Sequence, residues 1–358
     1  MRILPDNKAF TYMGRIDFSD SKLPMFIYAG SNVEIKFKSK KIGFYITNEK
    51  LGNYCSVGAV LDGVQFKFPI TEDDKELYID LTDSMPSSWY SDQNGGWHSL
   101  TIFKRQGAAN YLKFGGIEID EDGEVALPEK NYALNIEVFG DSVSAGEITE
   151  AIYNEGTVDN QSHTNGIHDN SWFSYPMMLS RRLNANVNNN SQGGIALLNK
   201  TGFFNGPEPE NLLGVETTYD KLSYVPFSKE GFTPWDFSRF TPDLIILAIG
   251  QNDPNPFQEK TETPEHIKLW KDTYKKLILS LREKYNKPVK VMMILTVLMH
   301  DPRWDKYLDE IEEELADENI KHFKFTRCGQ VTPGHPRATE QSEMATELCA
   351  EIKKWCLQ

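Results

Sequence analysis
Four short polar segments in the second half of the chain hold the residue types of an acyl-transfer centre. Gly140-Asp141-Ser142-Val143-Ser144-Ala145-Gly146 supplies a hydroxyl, and Asn189-Asn190-Ser191-Gln192-Gly193-Gly194 supplies backbone amides. Gly250-Gln251-Asn252-Asp253 supplies a side-chain amide, and Gly334-His335-Pro336 an imidazole. A serine hydroxyl is a weak nucleophile until a neighbouring base takes its proton, and histidine titrates where it can take and return one. Attack on an ester develops negative charge on the carbonyl oxygen, which needs donors fixed in advance. The expected roles follow: Ser142 as nucleophile, His335 as base and then acid, and an oxyanion hole from the Ser142 and Gly194 amides and the Asn252 side chain. Each residue also has a plainer use. Ser142 alone fits a helix cap, Asn252 a turn bonded to itself, and Gly193 competes with Gly194. Asp141 and Asp253 read as braces for their loops. The four segments taken together favour catalysis.

Strands must hold these segments. ALNIEVFG (133–140), ANVNNN (184–189), DLIILAIG (243–250), VKVMMILTV (289–297) and IKHFKF read as strands, the second weakly. Trp172, Tyr175, Leu179 and Leu183 recur at helical spacing, and a long amphipathic helix is expected from about 263 to 285. YLDEIEEELADEN is helical, its Glu-rich stretch a solvated face, and the last helix carries Met344, Leu348, Ile352 and Trp355 on one stripe. Apolar strands alternating with helices imply a parallel sheet covered on both faces. In a flavodoxin-like strand order the first and third strands flank the switch point, where ligands bind at the carboxyl ends. Serine, glycine amide, asparagine and histidine then converge on one rim. Irregular stretches at about 147–170 and 200–240 are long enough to lie over it.

The first half has another period. MFIYAG, SNVEIKFKS, KIGFYITN, GAVLDGVQFKFPI, ELYIDLTD, HSLTIFKRQ and NYLKFGGIEID are short, β-rich and separated by turn residues. They predict an antiparallel sandwich of the jelly-roll kind. The expected division is a jelly-roll domain over 1–130 and, over 131–358, a flavodoxin-like α/β domain that carries the four polar segments.

Of the 358 residues, 52 are acidic and 38 basic, a formal net charge of −14. That field repels phosphate backbones and anionic membranes, so neither nucleic acid nor membrane is an expected partner. No apolar run approaches the roughly 20 residues of a span. The first residues carry no secretory signal pattern. The expectation is a cytoplasmic protein, or a secreted one if a signal segment precedes Met1. Cys55, Cys328, Cys349 and Cys356 form no C-x-x-C pair and read as buried reduced thiols. A homo-oligomer is compatible with the sequence, which assigns none.

Gly140-Asp141-Ser142, Gly194, Gly250-x-Asn252-Asp253 and His335-Pro336 match in order the four blocks of the SGNH (GDSL-type) hydrolases, over roughly residues 133–358. The β half ahead of the GDS strand, with Gly14-Arg15 near its start and His98 before LTIFKR, resembles carbohydrate esterase family 2. That resemblance implies a jelly roll followed by an SGNH domain, and removal of acetyl groups from plant polysaccharides such as xylan and glucomannan. It implies catalytic Ser142 and His335, no organic cofactor and no metal, and an acetylated oligo- or polysaccharide as partner. One position departs from the pattern: three residues before the histidine, where an Asp is usual, stands Thr332, followed by Pro333. Members of the family can work with a Ser–His dyad, so the expectation is a dyad with His335 oriented by a backbone carbonyl.

Other residues are weaker candidates. His300, beside Asp301 after the fourth strand, and the aromatics Trp235, Trp304 and Tyr153 in or beside the insertions are candidate substrate contacts, the aromatics by stacking on sugar rings. Trp172 starts a helix and reads as core. His163 and His168, near Asp159 and Asp169, offer a conceivable metal site, with a solvated loop the preferred reading. Two other functions compete: a lipase- or thioesterase-like SGNH hydrolase, which needs an apolar acyl channel, and a non-catalytic carbohydrate-binding protein.

Overall fold
Short alternating strands in the first third and apolar strands divided by helices in the rest give two kinds of sheet. The computed structural model describes residues 1–49, 54–86, 95–108, 110–160, 165–203, 212–224, 232–254 and 263–357. In the first third, one antiparallel sheet has the order Ile16–Asp17, Met25–Phe26, Tyr111–Ile119, Ile42–Glu49, Leu77–Asp80, with Arg2–Ile3 beside Tyr111–Ile119. The other has the order Glu124–Ala126, Asn32–Lys38, His98–Lys104, Cys55–Leu61, Val64–Ile70, with Thr11–Met13 beside Asn32–Lys38. Alternate residues turn inward: Phe37, Phe44, Ile46, Val57, Ile102, Phe114 and Ile117 form the core between the sheets. Asp62 and Gly63 both take positive φ and close the hairpin Cys55–Leu61/Val64–Ile70, as a tight two-residue turn requires. This is the jelly-roll-type sandwich the sequence predicts.

The rest of the chain builds a five-stranded parallel sheet: β1 (Leu134–Gly140), β2 (Ala185–Ser191), β3 (Leu244–Ala248), β4 (Lys290–Met293) and β5 (Ile320–His322). Its order is β2-β1-β3-β4-β5, the flavodoxin-like arrangement, with β1 at the switch point. Every residue of β3 is buried, as a strand covered on both faces must be. The covering helices are α1 (Tyr175–Leu183), α2 (Pro264–Tyr285), α3 (Arg303–Leu315) and α4 (Ala338–Cys356). Thr263 caps α2 by accepting His266 N–H, and Pro264 fits its first turn, where no N–H is needed. Met344, Leu348 and Ile352 of α4 are fully buried against the sheet. Among the described residues no helix is long and apolar enough to cross a membrane.

The two parts are locked together. Arg15, fully buried, donates to Glu137 Oε1 of β1 at 2.8 Å and to the carbonyls of Tyr219 (2.8 Å) and Lys221 (2.9 Å). Ile27, Tyr28 and Tyr111 pack with Leu213, Tyr224, Trp235 and Phe240 in one apolar cluster.

Candidate active site
Strand register brings three of the four blocks side by side. Gly140 at the end of β1 pairs with Ser191 of β2 and Ala248 of β3. Ser142, Gly194 and Asn252 therefore leave adjacent strand ends within a few residues of the rim. Ser142 opens a single helical turn, Ser142–Ala145, capped by Asp141, whose side chain accepts Val143 N–H at 3.0 Å. Three elements pin this turn. Asn189 Nδ2 donates to Ser144 O (2.9 Å), Gln341 Nε2 of α4 donates to Val143 O (2.9 Å), and Ser144 Oγ bonds Tyr175 OH (2.7 Å). The polar composition that makes β2 a weak strand in sequence thus serves to hold the Ser142 turn.

Ser142 is 6% exposed, and its Oγ makes no hydrogen bond among the described residues. The Ser142 and Gly194 backbone N–H groups likewise find no acceptor among them. Gly194 holds φ at +72°, a left-handed conformation that favours glycine. Asn252 Nδ2 donates to Asp141 Oδ2 (3.2 Å) and Ile195 O (3.1 Å), which ties the third block to the first and second. Gln251 Nε2 also donates to Asp141 Oδ2, at 2.6 Å, and Asp253 accepts the Leu197 N–H at 3.1 Å. Both aspartates are loop braces. Burial pushes the Asp141 carboxyl up to about 6 and that of Asp253 up to about 7.

His335 is not oriented by a backbone carbonyl. Asp159 Oδ2 lies 2.6 Å from His335 Nδ1 and accepts the His335 backbone N–H at 2.8 Å. The dyad expectation is overturned: a carboxylate from the first insertion orients His335, and the tautomer it selects leaves Nε2 without a proton. Arg337, fully buried, donates to the carbonyls of Ala151 (3.1 Å), Asn154 and His335, and places Nη2 2.9 Å from Asp159 Oδ1. Burial alone would raise Asp159, but the bond and charge of His335, with Arg337 behind it, hold it down at about 2. A Cβ at Gly334 would meet the Asp159 carboxyl at 2.5 Å, so glycine is required where the two loops touch.

Thr332 is not idle in the place of the usual aspartate. Its Oγ1 accepts Gly156 N–H (3.0 Å) and donates to Glu340 Oε1 (2.5 Å), fastening the insertion that carries Asp159 to the foot of α4. Glu340 also accepts Arg337 N–H, Glu343 pairs with Arg327, and Asp301 with Arg303, so none of the three serves His335.

Glu147 escaped the sequence reading altogether. Its N–H donates to Ser142 O at 3.0 Å, and its Oε2 lies 3.9 Å from His335 Nε2. It therefore lies between the Ser142 turn and His335. A Cβ on Gly193 would strike Glu147 Oε1 at 1.9 Å, which gives Gly193 a steric reason of its own beside Gly194.

Three of the expected substrate contacts are buried in the fold. Trp304 is 1% exposed, edge-on to Trp270 in the core beneath β3 and β4. Trp235 is 6% exposed, its ring between the guanidinium groups of Arg15 and Arg239. The His300 side chain is 3% exposed and bonded to Leu298 O (2.7 Å) and Asp305 Oδ2 (3.1 Å). None presents a face to a sugar. Tyr153 is 96% exposed on the insertion that supplies Asp159, so its ring is open to solvent. His163 lies outside the described residues, and Asp169 accepts Ile148 N–H at 2.9 Å.

Residues 12–128 match the family described as carbohydrate esterase 2 N-terminal. Over 97% of its length the chain is 30% identical to a cellulase/esterase, CelE, of Acetivibrio thermocellus, covering 40% of that protein. It is 25% identical over 64% of its length to an acetylxylan esterase/glucomannan deacetylase of Cellvibrio japonicus, covering 58% of it. The chain thus spans less than two thirds of the length of either relative. The solved structure of a family two carbohydrate esterase from Clostridium thermocellum in complex with cellohexaose superposes with a TM-score of 0.74 at 23% identity, over 96% of this chain and 98% of that one. Residues 12–128 thus carry the N-terminal domain of carbohydrate esterase family 2, and the chain as a whole shares the fold of the solved family two carbohydrate esterases.

Proposed function
We propose that this chain removes O-acetyl groups from plant cell-wall polysaccharides or their oligosaccharides, of the xylan or glucomannan type, by serine acyl transfer. The observation that carries the reading is the His335 imidazole, fixed through Nδ1 by Asp159, with Glu147 linking its Nε2 side to the Ser142 turn. Ser142 Oγ attacks the acetyl carbonyl carbon as its proton passes to Nε2. The oxyanion is received by the free Ser142 and Gly194 N–H groups and by Asn252. The carbon–oxygen bond to the sugar breaks, and the sugar oxygen takes the proton from Nε2. Water then attacks the acetyl-serine, gives a proton to Nε2, and acetate leaves as that proton returns to Ser142 Oγ. The named activities of the two relatives support acetyl ester substrates. The Glu147 carboxylate beside the base favours a short acyl group over a long apolar chain, which argues against the lipase-like reading.

The test is acetate release from acetylated xylo-, manno- and cello-oligosaccharides, with p-nitrophenyl acetate and octanoate as controls. Acetate should appear from at least one oligosaccharide, octanoate should turn over far more slowly, and Ser142→Ala should lose roughly a thousandfold or more. Turnover of p-nitrophenyl acetate with no acetate from any sugar would move the substrate elsewhere. No turnover of either would leave a carbohydrate-binding module.

A further inference from the structure
A second cluster of chemically capable side chains lies apart from the serine, where β5 and α3 meet. His300 follows β4, Asp305 stands in the first turn of α3, His322 ends β5, and Cys328 follows it. The His300, Asp305 and His322 side chains are 3%, 4% and 0% exposed. One ligand atom from each of His300, Asp305 and Cys328 lies within 4.8 Å of the others. His300 Nε2 is 3.1 Å from Asp305 Oδ2, Cys328 Sγ is 3.4 Å from Asp305 Oδ1 and 3.9 Å from His300 Nε2. His322 Nε2 is 3.5 Å from Asp305 Oδ1 and has no hydrogen-bond partner.

The two imidazoles are aimed from behind. His300 Nδ1 sits 2.7 Å from Leu298 O, and His322 Nδ1 sits 2.7 Å from Asp309 Oδ1. A carbonyl and a carboxylate accept only, so each Nδ1 carries its proton. In the neutral ring the Nε2 lone pairs then face the Asp305 carboxylate and the Cys328 sulfur. The imidazole lone pairs and the Asp305 carboxylate, facing one another out of water, need positive charge between them. Outer hydrogen bonds of this kind, carbonyl or carboxylate to Nδ1, are how metal-ligating histidines are held. The spacing fits as well. Zinc bonds of about 2.0–2.3 Å in tetrahedral geometry set donor atoms roughly 3.3–3.6 Å apart, close to the 3.1–3.9 Å separating the His300, Asp305 and Cys328 atoms.

The geometry points to a structural site for one divalent borderline-soft cation of the zinc class, bound by His300 Nε2, Asp305 and Cys328 Sγ, with His322 Nε2 beside the Asp305 carboxylate. The thiolate and imidazoles select against magnesium and calcium. The cation staples the loop after β4, the start of α3 and the end of β5, and takes no part in acyl transfer. The rival arrangement is metal-free, with Asp305 held between two imidazolium rings.

The experiment uses the full chain, expressed with zinc supplementation, then stripped with chelator and titrated with Zn²⁺ or Co²⁺ alone. One zinc per chain should be retained on purification. Co²⁺ should give tetrahedral visible absorption with a thiolate-to-cobalt charge-transfer band. Cys328→Ser should abolish that band and Asp305→Asn should weaken zinc binding by at least tenfold, while Cys349→Ser keeps both. Zinc should raise the melting temperature of the stripped parent. Should Cys328→Ser fail to fold, the zinc content and cobalt spectrum of the parent, with Asp305→Asn, still decide. Less than a tenth of a zinc per chain with no cobalt–thiolate band, or a band that survives Cys328→Ser, would overturn the site in favour of the imidazolium arrangement or another thiol.

Discussion

Asp159 Oδ2 accepts two hydrogen bonds from one residue, the His335 backbone N–H at 2.8 Å and Nδ1–H at 2.6 Å. One oxygen therefore sets both the position of the loop and the rotation of the ring. The backbone bond makes the placement of His335 depend on Asp159 even before the imidazole is charged.

Asp159→Asn removes the charge that stabilises the imidazolium and permits the wrong tautomer. Neutralising a triad aspartate lowers kcat by up to roughly 10⁴-fold, and a loss of that order is expected here with p-nitrophenyl acetate. Circular dichroism and the melting temperature should stay near the parent. A mutant within tenfold of the parent would return His335 to a dyad.

Asn252→Ala should lower kcat by about 100- to 1,000-fold, the usual effect of losing one oxyanion donor, with a smaller change in KM. The Asn252 amide is engaged by Asp141 and Ile195 O at 3.2 and 3.1 Å, long bonds from which one N–H can turn to an oxyanion. A mutant altered in KM alone would make Asn252 a ground-state contact and leave Ser142 and Gly194 as the oxyanion donors.

The sheet was legible because burial on both faces leaves an unmistakable apolar run, as in β3, and because helices between strands force parallel pairing. Ser142, Gly194 and Asn252 followed, since each stands within a few residues of a strand end, whereas His335 lies well beyond β5, just ahead of α4. Asp159 was not legible: it comes from an irregular insertion 176 residues before its partner, with no period to place it. Thr332, read as a missing aspartate, instead ties that insertion down, a role visible only in three dimensions. Trp304 and Trp235 failed as sugar platforms for a related reason. An aromatic near a loop looks exposed in sequence, but Trp304 faces Trp270 across two packed helices, and Trp235 covers a buried arginine. Arg15 itself carried only a family resemblance in sequence, and its partner Glu137 is 122 residues away.

Arg15→Ala should destabilise the chain by about 3–5 kcal/mol, the effect of leaving a buried charge without its partner. Glu137 is fully buried between the sandwich and β1, with Asn190 and Tyr285 as its remaining donors. Denaturant unfolding followed by tryptophan fluorescence measures the loss. The neighbouring cluster of Tyr28, Tyr111 and Trp235 should loosen with it. A change under about 1 kcal/mol, ordinary for an exposed pair, would mean that water reaches Glu137.

The pH dependence follows from what surrounds His335. Burial works against its imidazolium, but the Asp159 bond and the charges of Glu147, Asp159 and Asp141 outweigh it, and the pKa is raised above the usual 6.5. The base must be neutral to accept the Ser142 proton, so kcat/KM should climb with rising pH through a midpoint above 6.5. Removing a raising group while burial remains must move that midpoint to lower pH. Two substitutions separate the causes. Asp159→Asn should shift the midpoint down and lower the plateau, because charge and tautomer are lost together. Glu147→Gln should shift it down while the plateau stays within a few fold, because the bond at Nδ1 is intact and only a charge 3.9 Å from Nε2 is gone. The measurement is kcat/KM across the pH range for the parent and both variants. A midpoint unmoved in Glu147→Gln would mean that the Glu147 carboxyl, itself pushed up by burial and by Asp169, is neutral when the enzyme works and exerts no pull on the base.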